Sequence, residues 1–425
     1  MTIKRIRPYI IFILCILGLI FLMKIALGEG DFKVFLEASK LIAAGKNPYH
    51  LWIFVSEGNY AYYFNSPFWA LILIPFTYLP SFITNFVWLA ANVFFLYRTW
   101  ILLAEYLDFT SLTKNQRTWI LLFSIILSAR FILYNFEMIQ MTIFLLYGAL
   151  ESLSLFRSKK YLPGGVLLAL VINIKLLPVV LIPYLIYRKQ WLATLSTLGF
   201  SVIFIILPGM ILGWSTNLFL LSEWWAVINP NNTENLLEAD LGLHSLTALL
   251  PSLLTQTKGV LPYSRNIFNF DFKTTVLILN LVRAGLILLT LYFLKWPPFK
   301  SAKSLINEGY ELTYIFLLVP LIFPHQQKYA FFFAFPAIVY ICHFVVVNFN
   351  SSTRKINIKK YCVVIILLVV SFSLMTLSTD GVIGRNLNEI TQHYKTITYG
   401  AIILIFLLLL SSPDPIEQKK NPEDL

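Results

Sequence analysis

Residues 191–213 read WLATLSTLGFSVIFIILPGMILG and carry no charged side chain from end to end. A bilayer core about 30 Å thick is crossed by roughly 20 apolar residues in a helix, so this stretch is long enough to span it. Comparable runs recur from Tyr9 to Leu410. They lie at 62–80, 82–104, 119–135, 138–156 and 161–187 before it, and at 276–296, 312–323, 329–346, 361–377 and 397–410 after it. Backbone amides in hydrocarbon must be satisfied within each segment, which makes these runs helices. A membrane barrel would instead show alternating segments of about ten residues, and none is visible. Across all 425 residues, 58% are hydrophobic and 13% charged, whereas a soluble domain carries about 25% charged residues. The fold class is therefore all-α: a polytopic integral membrane protein with about ten to twelve spans, forming a single transmembrane domain over 1–410.

The net charge of +12 is spread in short clusters between apolar runs. Such clusters suit anionic lipid headgroups, and no basic–aromatic groove suggests a nucleic-acid partner. Cys15, Cys342 and Cys362 lie in apolar stretches and read as small buried hydrophobes. Lys4, Arg5 and Arg7 precede the run Tyr9–Met23 in the manner of a signal peptide, but the length of the run and its poor cleavage site favour a retained anchor. The positive-inside rule puts these charges in the cytoplasm and sends the first loop, 28–65, to the external face. Within it Phe32, Phe35, Leu36, Ser39, Ile42 and Ala43 share one helical face and Lys33, Glu37 and Lys40 the other. That pattern predicts an amphipathic helix on the membrane surface, ended by Gly45. Basic loops at 295–303 and 354–360 read as cytoplasmic. A second large loop at 214–275, the turn 324–328 and the segment 378–396 then fall outside, and the polar tail 411–425 falls inside. Counting spans sets Arg157, Lys159 and Lys160 outside, against the charge rule. Segment 161–187, interrupted by Asn173, Lys175 and Pro178, could be a hairpin of two short helices.

Candidate functional residues stand at the breaks. Asp31 follows the first span and precedes the amphipathic helix, where it suits a helix N-cap and equally a carboxylate able to take a proton from a sugar hydroxyl. Lys175, His244, His325 and Lys328 lie in breaks and turns, and ionisable groups at membrane depth point to function. Lys175 also suits snorkelling to an interface. His325 and Lys328 suit a phosphate or a plain polar turn. The five histidines show no metal spacing, and no phosphate-cradling glycine loop or nucleophile elbow is present, so neither metal nor cofactor is expected. Gly164-Gly165 matches close helix packing.

The order of these motifs resembles family 87 of the glycosyltransferases, which belongs to the membrane-embedded GT-C class. The likeness runs from about 25 to 345. It rests on Asp31-Phe32 leading into an amphipathic helix, Gly45-Lys46-Asn47-Pro48-Tyr49, and Tyr60 to Pro67 entering an apolar run. Gln140, Gly164-Gly165, Ile174-Lys175-Leu176-Leu177-Pro178 and Arg188-Lys189-Gln190-Trp191 follow in order, then Gly242-Leu243-His244-Ser245-Leu246 and Pro324-His325-Gln326-Gln327-Lys328-Tyr329. The chain departs from the family pattern at Ile139, where glycine is usual, at Leu243-His244, where Asn-Gln is usual, and at Lys328, where histidine is usual.

The resemblance implies a mannosyltransferase-like enzyme of glycolipid biosynthesis in the cell (inner) membrane. Its site would face the periplasm or exterior and draw a hexose from a polyprenyl-phosphate donor for a lipid or glycan acceptor. By motif position Asp31 is the catalytic base, with inversion at the anomeric carbon. Lys175, His325 and Lys328 would hold the donor phosphate, and Tyr49, Tyr63, Gln140 and His244 the substrates, although interfacial placement also explains the tyrosines. Two other classes fit the breaks and charges as well: a transporter or lipid-linked-sugar flippase, and a nonenzymatic scaffold.

Overall fold

A computed structural model describes residues 3–56, 58–229, 241–257, 259–294, 298–299, 302, 304–349 and 357–413. Of these residues 78% are helical. After α1 (Ile3–Ala26), one end of the molecule is built by α2 (Phe32–Ala43) and an antiparallel hairpin of β1 (Ile53–Ser56) and β2 (Asn59–Ala61). α2 was expected to lie on the membrane. It is buried more widely than one amphipathic stripe, with Val34 and Ala38 covered as well as Phe32, Phe35, Leu36, Ser39 and Ile42, because β1 and the chain after β2 pack over it.

α3 (Pro67–Leu73) starts where the Ser66 hydroxyl accepts the Trp69 N–H at 3.3 Å and Pro67 presets the first turn. With the 3-10 turn Ile74–Tyr78 it makes only about 18 Å of helix, too short to cross. α4 (Ser81–Tyr106) accordingly begins at the same end, where the Asn85 amide donates to Ala26 O at 3.2 Å and Gly28 O at 3.3 Å. Segment 62–80 is therefore not a crossing, which removes the conflict in counting. α5 (Lys114–Glu137) returns toward Asp31, and α6 (Thr142–Arg157) runs back. Arg157 thus stands 3.7 Å from Glu105 at the foot of α4.

α7 (Tyr161–Ile174) and α8 (Leu181–Tyr187) form the anticipated hairpin. Lys175 breaks it in extended conformation, and the 3-10 turn Leu177–Val180 with Pro178 completes the reversal. α9 (Trp191–Leu212) packs on α7 so closely that a Cβ at Gly165 would overlap the Ser196 hydroxyl. α10 (Trp214–Ile228) and α11 (Leu246–Leu254) occupy the stretch expected to be a plain loop. They are followed by α12 (Phe272–Leu294), α13 (Leu305–Ile322), α14 (Phe335–Phe349), α15 (Ile358–Phe372), α16 (Asp380–Ile383), α17 (Arg385–His393) and α18 (Thr396–Leu410). Both feet of the hairpin sit at the Arg157 end. Arg157 lies 3.6 Å from Glu308, while one turn further along α13 Glu311 accepts from Arg188 Nε at 2.9 Å, and Arg188 also donates to Leu294 O at 2.7 Å.

Among the described residues seven helices are long and apolar enough to cross a membrane, or eight if the pair α17–α18, bent by 63°, counts as one span. Of the expected ten to twelve, segment 62–80 is not a crossing, while α1 (24 residues), α6 (16 residues) and the α7–α8 hairpin stand outside these seven. The chain is a multi-pass membrane protein. Most of the basic loop 295–303, residues 354–356 and the tail beyond residue 413 lie outside the described residues.

Candidate functional site

Asp31 opens α2, but its backbone is already helical (φ −60°, ψ −19°) and its side chain makes no capping bond. The carboxylate turns instead to Gln140, whose Nε2 donates to Oδ2. Two distant segments meet here, with the Asp31 N–H donating to Met138 O at 2.9 Å. Gly30 permits the approach, since a Cβ there would stand 2.7 Å from that same carbonyl oxygen. Ile139, at φ +48°, takes the left-handed conformation that a β-branched residue adopts only under strain. The bend is held by Gln140 N–H on Asn135 O at 2.8 Å and by the Trp88 indole on Gln140 O at 3.2 Å. Burial pushes the Asp31 carboxyl above its ordinary range, while the Gln140 hydrogen bond and the charge of Lys175 pull it back.

Lys175 reaches this neighbourhood from the tip of the α7–α8 hairpin and does not snorkel away. Its Nζ lies 5.3 Å from the ring centroid of Tyr329, which stacks on Tyr134 at 6.2 Å and 12°. Lys328 Nζ sits 5.0 Å from the Tyr134 ring. Two ammonium groups from separate elements therefore flank one stacked tyrosine pair, each drawn to the negative face of a ring. The Asn135 amide fixes the arrangement by donating to Tyr329 O at 2.9 Å. His325, at φ +55°, lies at the turn before Lys328 with its ring 5.0 Å from Phe64. That turn is pinned by an antiparallel bridge between Leu243 and Gln327 and by the His244 N–H on Gln326 O at 2.8 Å.

Asp31, Gln140 and Lys175 are thus brought together, and Lys328 joins them through the tyrosine pair. Three of the expected substrate contacts are buried. Tyr49 and Tyr63 are each 1% exposed, and their hydroxyls donate to Asn65 O at 2.9 Å and Ser66 O at 2.8 Å. They hold the chain entering α3. His244 is 0% exposed, and its backbone N–H holds the 324–328 turn. Gly30, Tyr134 and Asn135 were not foreseen. A glycine directly before the acid and a Tyr-Asn pair within an apolar run are the only signals they leave in the sequence.

The family model of glycosyltransferase family 87 matches residues 63–303, more than half of the 425-residue chain. The chain belongs to glycosyltransferase family 87. No curated protein and no solved structure matches it. Family 87 consists of membrane glycosyltransferases, so the protein is an enzyme of that class rather than a transporter or a scaffold. The family match takes in Tyr63, Gln140, Lys175 and His244, while Asp31, Tyr49, His325 and Lys328 lie beyond its ends.

Proposed function

We propose that this family 87 enzyme moves a hexose, mannose by resemblance, from a polyprenyl-phosphate donor to a hydroxyl of a lipid or glycan acceptor. The site would open on the outer face of the cell membrane. The observation that carries the proposal is the Asp31 carboxylate, unused as a helix cap, held by Gln140 and within the field of Lys175.

The charge pattern supports the orientation. Arg157, Lys159, Lys160 and Arg188 share the end opposite Asp31, and the positive-inside rule assigns such an end to the cytoplasm. A lipid-linked donor then suits a site that cytosolic nucleotide sugars do not reach. In the proposed reaction the acceptor oxygen attacks the anomeric carbon from the face opposite the phosphate, and Asp31 takes its proton. The bond from carbon to phosphate oxygen breaks, and its electron pair leaves with the polyprenyl phosphate. Lys175 and Lys328, with His325 nearby, balance that charge. The raised affinity of Asp31 for protons makes it a stronger base than an ordinary carboxylate.

The test is Asp31→Asn in lipid nanodiscs, with transfer from polyprenyl-phosphate-hexose measured beside donor binding. Transfer should fall by about 100-fold or more while donor binding persists. A folded variant with near-normal transfer would remove Asp31 from the mechanism.

A further inference from the structure

The β1–β2 hairpin alternates with period two. Ile53, Val55 and Tyr63 face inward and are buried, while Trp52, Phe54 and Tyr60 face outward at 63%, 47% and 52% exposure. The outward face of a surface hairpin is ordinarily polar, so a row of exposed aromatics requires an explanation. The rings are ordered as pairs. Phe54 stands opposite Tyr60 in the strand register with ring centroids 5.5 Å apart, and Trp52 lies against Tyr62 at 4.0 Å. From there the line continues inward, Tyr62 to Phe64 at 6.3 Å and Phe64 to His325 at 5.0 Å. Tyr62, Phe64 and His325 all keep partial solvent access. The row therefore runs from open surface to the turn that carries Lys328.

The platform is fixed to the site. Lys33 of α2 donates to Val55 O at 3.0 Å and places its ammonium 4.7 Å from the Phe54 ring centroid. The Trp224 indole of α10 donates to Phe64 O at 3.0 Å, and Glu223 accepts from the Asn47 amide at 2.8 Å. The helix that starts at Asp31 and the strand that carries the rings are thus tied together.

We infer that the ring row Trp52–Tyr62–Phe64–His325 is an acceptor track that binds a saccharide chain of several residues and delivers its end toward Asp31. Pyranose rings present flat C–H faces that stack on aromatics, and their hydroxyls find partners in the tyrosine O–H groups at the ring edges. A simple lipid alcohol would have no use for stacked rings spaced along a line, whereas an oligosaccharide repeats its apolar face at intervals. The inference rests on the glycosyltransferase reading of the Asp31 site and specifies the acceptor class for it.

The test uses the full-length enzyme in nanodiscs and a set of defined gluco-, galacto- and mannohexasaccharides, with binding followed by titration calorimetry. At least one hexasaccharide should bind, and Trp52→Ala should weaken it by about five- to tenfold, the loss of one stacking partner. Trp52→Phe should recover most of the affinity, and donor binding should stay unchanged in both. The inference is overturned if no hexasaccharide binds, or if Trp52→Ala binds as wild type does and the variant differs only in its partition between bilayer and detergent, which would make the row a membrane-interface belt. Saccharide binding that depends on Trp52, in an enzyme that transfers nothing from polyprenyl-phosphate-hexose, would instead refute the donor proposal and leave the track standing.

Discussion

Replacing Gln140 by glutamate changes one atom of the contact to Asp31 and so isolates what that contact does. In the wild type the Gln140 amide donates to the carboxylate, while its own oxygen accepts the Met141 N–H at 3.2 Å. Glutamate keeps the oxygen for Met141 but removes the donor, and puts a second acid beside the first. A hydrogen bond to a charged group contributes about 1.5–3 kcal/mol, and each pKa unit corresponds to about 1.4 kcal/mol. Losing the donor should therefore raise the Asp31 pKa by about one to two units, and repulsion between neighbouring carboxylates acts in the same direction. The sign for activity follows directly. A general base works only when deprotonated, so the rate rises with pH through the Asp31 pKa, and burial already sets that limb above the ordinary carboxylate range. Gln140→Glu should move the acidic limb of the kcat/KM profile upward by at least one pH unit, with a smaller change on its alkaline plateau. The assay is transfer from polyprenyl-phosphate-hexose across pH 5–9, with thermal unfolding of each variant as control. A folded Gln140→Glu enzyme whose acidic limb coincides with that of wild type would refute the role of Asp31 as a base tuned by Gln140.

Gly30→Ala should lower transfer by about tenfold or more, because the new Cβ would lie 2.7 Å from Met138 O and must push Asp31 away from Gln140. Donor affinity measured in parallel should change far less. Arg188→Met should destabilise the fold by about 3–5 kcal/mol, since it strands the Glu311 carboxylate in the core between α8 and α13. Arg188→Met with Glu311→Leu should recover most of that loss in thermal unfolding.

The architecture was legible where one physical rule acts alone. Apolar runs such as 191–213 could only be helices in a bilayer, and Lys175 with Pro178 marked the hairpin break that the structure contains. The segment 62–80 misled because hydropathy does not distinguish a crossing from α3 and its 3-10 turn buried at one end. Only the tie from Asn85 to Ala26 and Gly28 reveals on which side α4 begins. At the site, Asp31 and Lys175 were identifiable as ionisable residues at breaks in apolar sequence, and Gln140 only through the resemblance to family 87. Tyr49, Tyr63 and His244 have the same signature, yet their side chains are buried in structural roles, a difference that tertiary packing decides and local sequence does not record. The chain passes through φ > 0 at Ile139 to deliver Gln140 to Asp31, a conformation that glycine adopts freely and a β-branched residue only under strain.

The most direct measurement is an electron cryomicroscopy map of the enzyme in a bilayer with a non-transferable polyprenyl-phosphate-hexose analogue. The phosphate should lie between Lys175 and Lys328, with the anomeric carbon turned toward the Asp31 carboxylate. An analogue bound at the opposite end, in the cavity of about 220 Å³ lined by Arg157, Tyr184, Arg188 and Glu308, would place the reaction elsewhere and refute the Asp31 site.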